Sequence, residues 1–301
     1  MKENSSPSTT QPTASGLTPA ERPALKSLKR FRRHKLAMFG LVTISLLLLS
    51  AIFAPSLSRY NYRELDLRHR YSAPNSNHWL GTDGTGRDMW ERLLMGGRTS
   101  LSVGLVAVSI STVIGVVLGS VSGYYSGRVD AAIMRFTDMI MCFPPLVIII
   151  VLVAALEPSI YNSMIAIGLL SWPGLARLVR GQFLSLRNKE FVDAATCIGA
   201  RAGRIIFVHI LPNVVGTVLV AATLLMSTAI LMEAGLSFLG LGVQQPEPSW
   251  GNMLQQAQNF TILQESPWMW IPPGLAIMLT VLSINFIGDG LTDALNPRQL
   301  L

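Results

Sequence analysis

Apolar positions in this chain form long, almost uncharged runs rather than the alternating stripes of half-buried elements. Runs of this length predict transmembrane helices, because roughly 20 residues rising 1.5 Å each cross a hydrocarbon core of about 30 Å. Six spans are expected, at residues 36–54, 99–124, 131–156, 161–178, 212–233 and 268–288. Pro144 and Pro145 predict a kink inside the third. The fourth contains Pro173 and Gly174, which such helices tolerate because neighbouring helices re-satisfy the backbone. No repeat of fixed period is visible.

The polar pieces between the runs suggest an organisation. Residues 1–25 are rich in Ser, Thr and Pro and read as a disordered tail. They contain no apolar stretch, so a cleavable signal is not expected. A basic juxtamembrane segment follows at 26–35, then a first helix over 36–56 that reads as a signal anchor. An outer loop is expected over 57–98, and a core of five spans over 99–290 that includes a long loop at 178–211. Residues 291–301 form the C-terminus. Six spans return both termini to one side, and the basic cluster places that side in the cytoplasm. Of the 24 basic residues, 17 then fall in cytoplasmic pieces or their flanking helix ends and 7 in the 57–98 loop. The last outer loop, 235–267, has no Lys or Arg.

Composition agrees with this reading. The chain is 50% hydrophobic and 14% charged, against about 25% charged for an ordinary soluble domain. A net charge of +7 would raise nucleic acid as a partner in a soluble protein; here the basic residues flank spans and set orientation. Cys142 and Cys197 stand at no metal or redox spacing. His34, His69, His78 and His209 are not paired at ligand spacing, and His69 and His78 read as members of a solvated loop. The glycines of Gly81–Gly86 lack the Gly-Lys-Ser/Thr of a phosphate loop, so the chain is not expected to be an ATPase.

Charges inside spans are candidates for a pathway or gate. Arg135 and Asp138, three apart on one helical face, are expected to pair, and Asp130 suits the start of the same helix. Glu233 ends one apolar run and precedes another, Gly-rich one. It lies either at the outer interface or buried in a span that continues into a re-entrant stretch, with a role in the pathway or in structural hydrogen bonding.

The 178–211 loop carries the densest signal. Glu190 and Asp193, then Ala194 and Ala195, then Gly199, read as a short helix with an acidic start and a glycine stop. Pro212 is expected to open the fifth span, where a missing N–H costs little. By physics alone the short helix is either a knob that docks into a partner or an amphipathic helix lying on lipid.

This segment resembles the cytoplasmic signature of binding-protein-dependent ABC importer permeases: Asp193-Ala194-Ala195, Gly199, then His209, Ile210, Leu211 and Pro212. Asp193 stands where Glu is more usual and His209 where isoleucine is. The run from His209 to Asn213 is similar to the dipeptide, oligopeptide and nickel branch, as are His78–Asp88, Arg92–Leu94, Gly97–Leu101, Asp130 with Met134, Arg135, Asp138 and Pro144, Glu233 with Leu236–Gly242, and Pro248–Met253. The resemblance covers about residues 30–298.

The resemblance implies an all-α integral membrane permease of the type I ABC importer kind, in a bacterial inner membrane. Its partners would be a second related permease, two cytoplasmic P-loop ATPases and an extracytoplasmic substrate-binding protein. ATP and Mg would sit on the ATPases, with no cofactor, metal or catalytic residue on this chain. Asp193, Ala194, Ala195, Gly199 and Pro212 would form the ATPase-coupling element. Peptides are the expected cargo, with nickel or another small solute as the alternative. An intramembrane protease is disfavoured because Ser237 and His209 would lie at opposite membrane faces. A self-sufficient channel or exporter is disfavoured by the importer-type loop.

Overall fold

A computed structural model of the chain describes residues 29–295. The expected tail (1–25), the start of the basic segment and residues 296–301 lie outside them. The described residues fold into helices, with a single isolated β-bridge between Thr82 and Asp88.

Helix α1 (Lys35–Leu57) is capped by His34, whose Nδ1 accepts the Ala37 N–H at 3.1 Å. Much of its apolar surface, including Phe39, Leu46 and Ile52, is exposed, as suits a lipid-facing helix. Helix α2 (Met89–Tyr125) starts well before the expected 99. Asp88 fixes that start by accepting the N–H groups of Trp90 and Glu91 at 2.9 and 3.0 Å. At 37 residues α2 is about 56 Å long, more than a bilayer core requires, and its polar first turns belong to the segment before it.

The expected third span is broken. Helix α3 (Gly127–Met141) and helix α4 (Pro145–Ala155) meet at 79° across the Pro144-Pro145 pair, which removes two consecutive donors and cannot continue a helix. The expected fourth span is also two pieces, α5 (Ile160–Leu170) and α6 (Trp172–Leu186), with Ser171 between them. Pro173 offers no N–H to the Leu169 carbonyl, and Ser171 turns its hydroxyl back onto the Ile167 carbonyl at 2.7 Å. Since α6 runs to Leu186, the expected loop at 178–211 begins in a helix.

After a short helix α7 (Glu190–Cys197), helix α8 (Ala202–Phe238) begins ahead of Pro212. Pro212 stands in the first turn of the regular α-helical stretch Leu211–Phe238, as expected, but helical turns precede it back to Ala202. Residues 205–210 widen into a π turn in which the Leu211 N–H reaches the Ile206 carbonyl, five residues back. That widening accommodates the proline, whose ring would clash with a carbonyl in an ordinary α turn. Asn213 donates its side-chain amide to the His209 carbonyl at 2.7 Å beside the break. Two short helices, α9 (Trp250–Gln255) and α10 (Phe260–Glu265), precede α11 (Ile271–Leu295).

Among the described residues, four helical stretches are long and apolar enough to cross a membrane: α1, α2, α8 and Pro267–Leu295. The bent pair α3–α4 makes five if it is one span. Helix α2 is the central element, packing against α6, α8, α5 and α1. Its tightest contact is with α6, along Gly115, Gly119 and Gly123 at four-residue spacing. A Cβ on Gly119 would stand 2.5 Å from the Ala176 carbonyl oxygen and 2.8 Å from Val179 Cβ, so only glycine allows this approach.

Candidate functional site

Helix α7 is built as the sequence suggests. Glu190 and Asp193 lie in its first turn, where carboxylates oppose the positive end of the helix dipole. Its end is a Schellman motif: the Ala200 N–H bonds the Ala195 carbonyl at 3.0 Å, and the Gly199 N–H bonds the Thr196 carbonyl at 2.9 Å. Gly199 has φ +80°, the left-handed conformation that this motif needs and side chains disfavour. Val192 and Ala195, three apart, are buried against Phe183, Ile205, Ile206 and Ile210. Asp193, Ala194 and Gly199 face outward. So do Phe191 and Ile198, the latter 84% exposed. Neither apolar residue was singled out from the sequence; the available signal was their position off the Val192–Ala195 face. The result is a knob with a packed base and an apolar tip flanked by carboxylates. Pro212 does not belong to the knob; it follows the π turn against which the base packs.

The expected Arg135–Asp138 pair does not form. Asp138 instead accepts from Arg177 of α6 at 2.5 Å, and Arg135 is exposed without an ion pair among the described residues. Asp130 takes the other arginine of α6, Arg180, in a two-pronged bond at 2.5 and 2.6 Å, and also accepts the Ser122 hydroxyl. Helix spacing alone proposed a partner on α3; two arginines one turn apart on α6 outcompete it. The half-buried Asp130–Arg180 pair is expected to couple by about 1 kcal/mol, read by a double-mutant cycle on thermal unfolding in detergent. Zero coupling would reduce the pair to a surface contact.

Glu233 is completely buried, within α8. It accepts the Ser100 hydroxyl at 2.9 Å and the Ser237 hydroxyl at 2.8 Å. Each hydroxyl in turn accepts a backbone N–H, from Trp250 at 3.2 Å and from Val243 at 3.1 Å. The carboxylate thus pins the Gly-rich segment 239–253 between α2 and α8. Ser249 and Asn252 close a reciprocal cap at the start of α9, and the Asn252 amide holds the Val243 and Glu247 carbonyls at 3.1 and 2.8 Å.

Before α2 the chain is solvated over most of residues 58–79, His69 included as expected, and packs into a cap only over residues 81–89. Asp83 is buried, gathers the Thr85 and Arg87 N–H groups at 2.7 and 3.0 Å, and lies 3.7 Å from the buried Arg92 guanidinium. His78 bonds Asp88 at 2.8 Å, and His69 bonds Asp66 at 2.6 Å, which holds the Asp66 carboxyl below its ordinary range. Arg63 pairs with Glu247, and Arg87 donates to Gln245 at 2.5 Å, so the cap is tied to the segment Glu233 holds. Tyr62 donates to Glu247 at 3.1 Å; burial, then that bond, pushes its phenol up.

Comparison with known proteins agrees with this architecture. Residues 115–300 match the family described as binding-protein-dependent transport system inner membrane component. Residues 24–74 match the N-terminal TM domain of oligopeptide transport permease C. The dipeptide transport system permease protein DppC of Alkalihalophilus pseudofirmus is 45% identical over 92% of this chain and 90% of its own. The oligopeptide transport system permease protein OppC of Bacillus subtilis is 41% identical over 96% of both chains. That of Haemophilus influenzae is 43% identical over 90% of this chain and 87% of its own. An all-helical chain with several membrane-crossing helices, matched over most of its length, belongs to the inner membrane permease subunits of binding-protein-dependent transport systems.

Proposed function

We propose that the chain forms the translocation pathway of an ATP-driven importer of di- and oligopeptides, delivered by an extracytoplasmic binding protein. The relatives named above are dipeptide and oligopeptide permeases, and the N-terminal match is to an oligopeptide permease domain, which favours peptides over nickel. Counting α3–α4 and α5–α6 each as one interrupted span gives six, with both termini cytoplasmic, the cap outside and α7 inside. A second related permease and two ATPases complete the complex; the ATPases hold ATP and Mg, and this chain carries no cofactor.

The observation that carries this reading is α7. Its base is packed into the bundle while Phe191, Ile198 and Asp193 are left without cover in this chain. A rigid knob with an apolar tip suits a cleft on a moving partner. Closure of the ATPases on ATP would press α7, and through its base α6 and α8, biasing the bundle between inward- and outward-open states. Glu233 serves as a structural tie in this scheme, and Arg135 and Asp138 as helix-end charges.

The test is to purify the tagged chain from native membranes in mild detergent with nucleotide present and identify what comes with it. P-loop ATPases, a second permease and a binding protein with affinity for peptides rather than nickel are expected. Recovery of the chain alone would overturn the importer reading.

A further inference from the structure

Two imidazoles nine positions apart in the chain are folded together in the segment before α2. The rings of His69 and His78 have their centroids 6.2 Å apart, on the wall of a cavity of about 250 Å³. The rest of that wall includes Tyr60, Glu64, Asp66 and Asp88 but no Lys or Arg, although 7 arginines lie within 57–98. Each ring is backed by its own carboxylate. Asp66 Oδ2 stands 2.6 Å from His69 Nδ1, and Asp88 Oδ2 stands 2.8 Å from His78 Nδ1. An ionised carboxylate keeps the proton of a neutral ring on Nδ1, which leaves the lone pair on Nε2. Neither Nε2 has a partner among the described residues. Asp88 is itself fixed, because its other oxygen caps α2 through the Trp90 and Glu91 N–H groups.

A neutral imidazole with a carboxylate behind it is the usual form of a histidine that ligates a transition ion. Zinc–nitrogen bonds of about 2.0–2.1 Å set each ring centroid about 3.2 Å from the ion, and two centroids about 5.2–6.4 Å apart for ligand angles from tetrahedral to linear. The observed 6.2 Å lies inside that window, near its wide end, and the His69 side chain, 60% exposed, has room to close the angle. Among the described residues no three His, Cys, Asp or Glu side chains converge, so the protein supplies two ligands and water the others. Glu64, on the same wall, is placed to accept from such a water.

From this we infer that His69 and His78 hold a divalent transition cation through their Nε2 atoms, and that the ion clips the exposed turn Leu67–His69 to the capped start of α2. Imidazole selects zinc, nickel or copper over magnesium and calcium, which take oxygen ligands. The ion is neither cargo nor a cofactor of transport: every residue of the wall lies within 60–88, apart from α8 and the Glu233 network. The inference stands beside the peptide-import reading, and its failure leaves that reading intact.

The test uses the full chain in mild detergent, purified through a tag free of histidine, in a Cys142→Ser, Cys197→Ser background that removes the thiols. Titration calorimetry with Zn²⁺ is expected to show one equivalent bound, and Mg²⁺ at the same concentration none. His69→Ala and His78→Ala should each weaken zinc by tenfold or more, and Asp66→Asn, which touches no ion, by about tenfold. His78→Ala also loses the bond to Asp88, so the exposed His69 carries the decision: His69→Ala should unfold at the wild-type midpoint without zinc. Hydrogen exchange of the amides in 62–77 should slow by about tenfold on adding Zn²⁺ to the wild-type chain and not change in His69→Ala. Absence of zinc binding overturns the inference. So does zinc held equally by His69→Ala and the wild type, which would be an adventitious ion only, and so does binding that leaves exchange in 62–77 unchanged.

Discussion

Ile198→Asp is expected to lose nearly all ATP-driven peptide uptake while the subunit inserts and folds normally. Ile198 follows α7 directly and is 84% exposed, so the isolated subunit loses no packing when it is changed. On the docking proposed for α7, the same side chain would be the apolar tip that enters the partner's cleft. Replacing such an anchor with a carboxylate forfeits its burial and brings an unpaired charge into a dry cleft, at a cost of at least about 2 kcal/mol, or roughly 30-fold in the docked population. The contrast with Val192→Asp separates docking from folding. Val192 is buried in the knob's base, so that change should lower the yield of folded subunit as well as uptake. Uptake and ATPase co-purification by Ile198→Asp at wild-type levels would remove α7 from the coupling path. Gly199→Trp belongs to the same test: open space surrounds Gly199, but φ +80° strains any side chain there, by about 1–2 kcal/mol, and a bulky ring would block the knob's approach.

What was legible in the sequence follows from the range of the interactions involved. Helix α7 is set by local chemistry, an acidic first turn and a glycine that alone readily adopts the left-handed stop, so it could be read residue by residue. The break at Pro144-Pro145 was legible for the same reason, though expected as a kink rather than a 79° turn. The early start of α2 was hidden because Glu91 and Arg92 look like loop residues until Asp83 and the Arg59 and Tyr60 N–H groups are brought to them. Arg135–Asp138 failed where spacing within one helix was asked to decide a contact made between two. Pro212 does mark the start of the regular α-helical stretch at Leu211, but nothing local announced the π turn that carries α8 back to Ala202. The glycines after Glu233 marked the segment beside it as unusual. The partners of Glu233, Ser100 and Ser237, give no sequence signal beyond being small and polar.

Glu233 is where structural and pathway roles part most clearly. Glu233→Ala leaves the Ser100 and Ser237 hydroxyls without acceptors in a site closed to water, at about 1–3 kcal/mol for each orphaned group. The loss is then about 2–6 kcal/mol, enough to free the 239–253 segment and with it the Arg63 and Arg87 ties to the cap. Uptake should fall with stability, both read on the same preparation as a lower midpoint of thermal unfolding in detergent. Glu233→Gln keeps one acceptor and the side-chain volume, so one hydroxyl must turn away and the loss should be nearer 1 kcal/mol. A structural tie therefore predicts that Gln restores most of both stability and uptake. A carboxylate that gates the pathway by its charge predicts the opposite pattern, with Glu233→Gln stable but as inactive as Glu233→Ala. The hydroxyls donating to the carboxylate each receive a backbone N–H from the segment they hold, so any weakening at Glu233 passes straight to the backbone at Val243 and Trp250. Hydrogen exchange of those two amides should accordingly quicken in Glu233→Ala ahead of the amides in α2, and unchanged exchange at both would sever the tie.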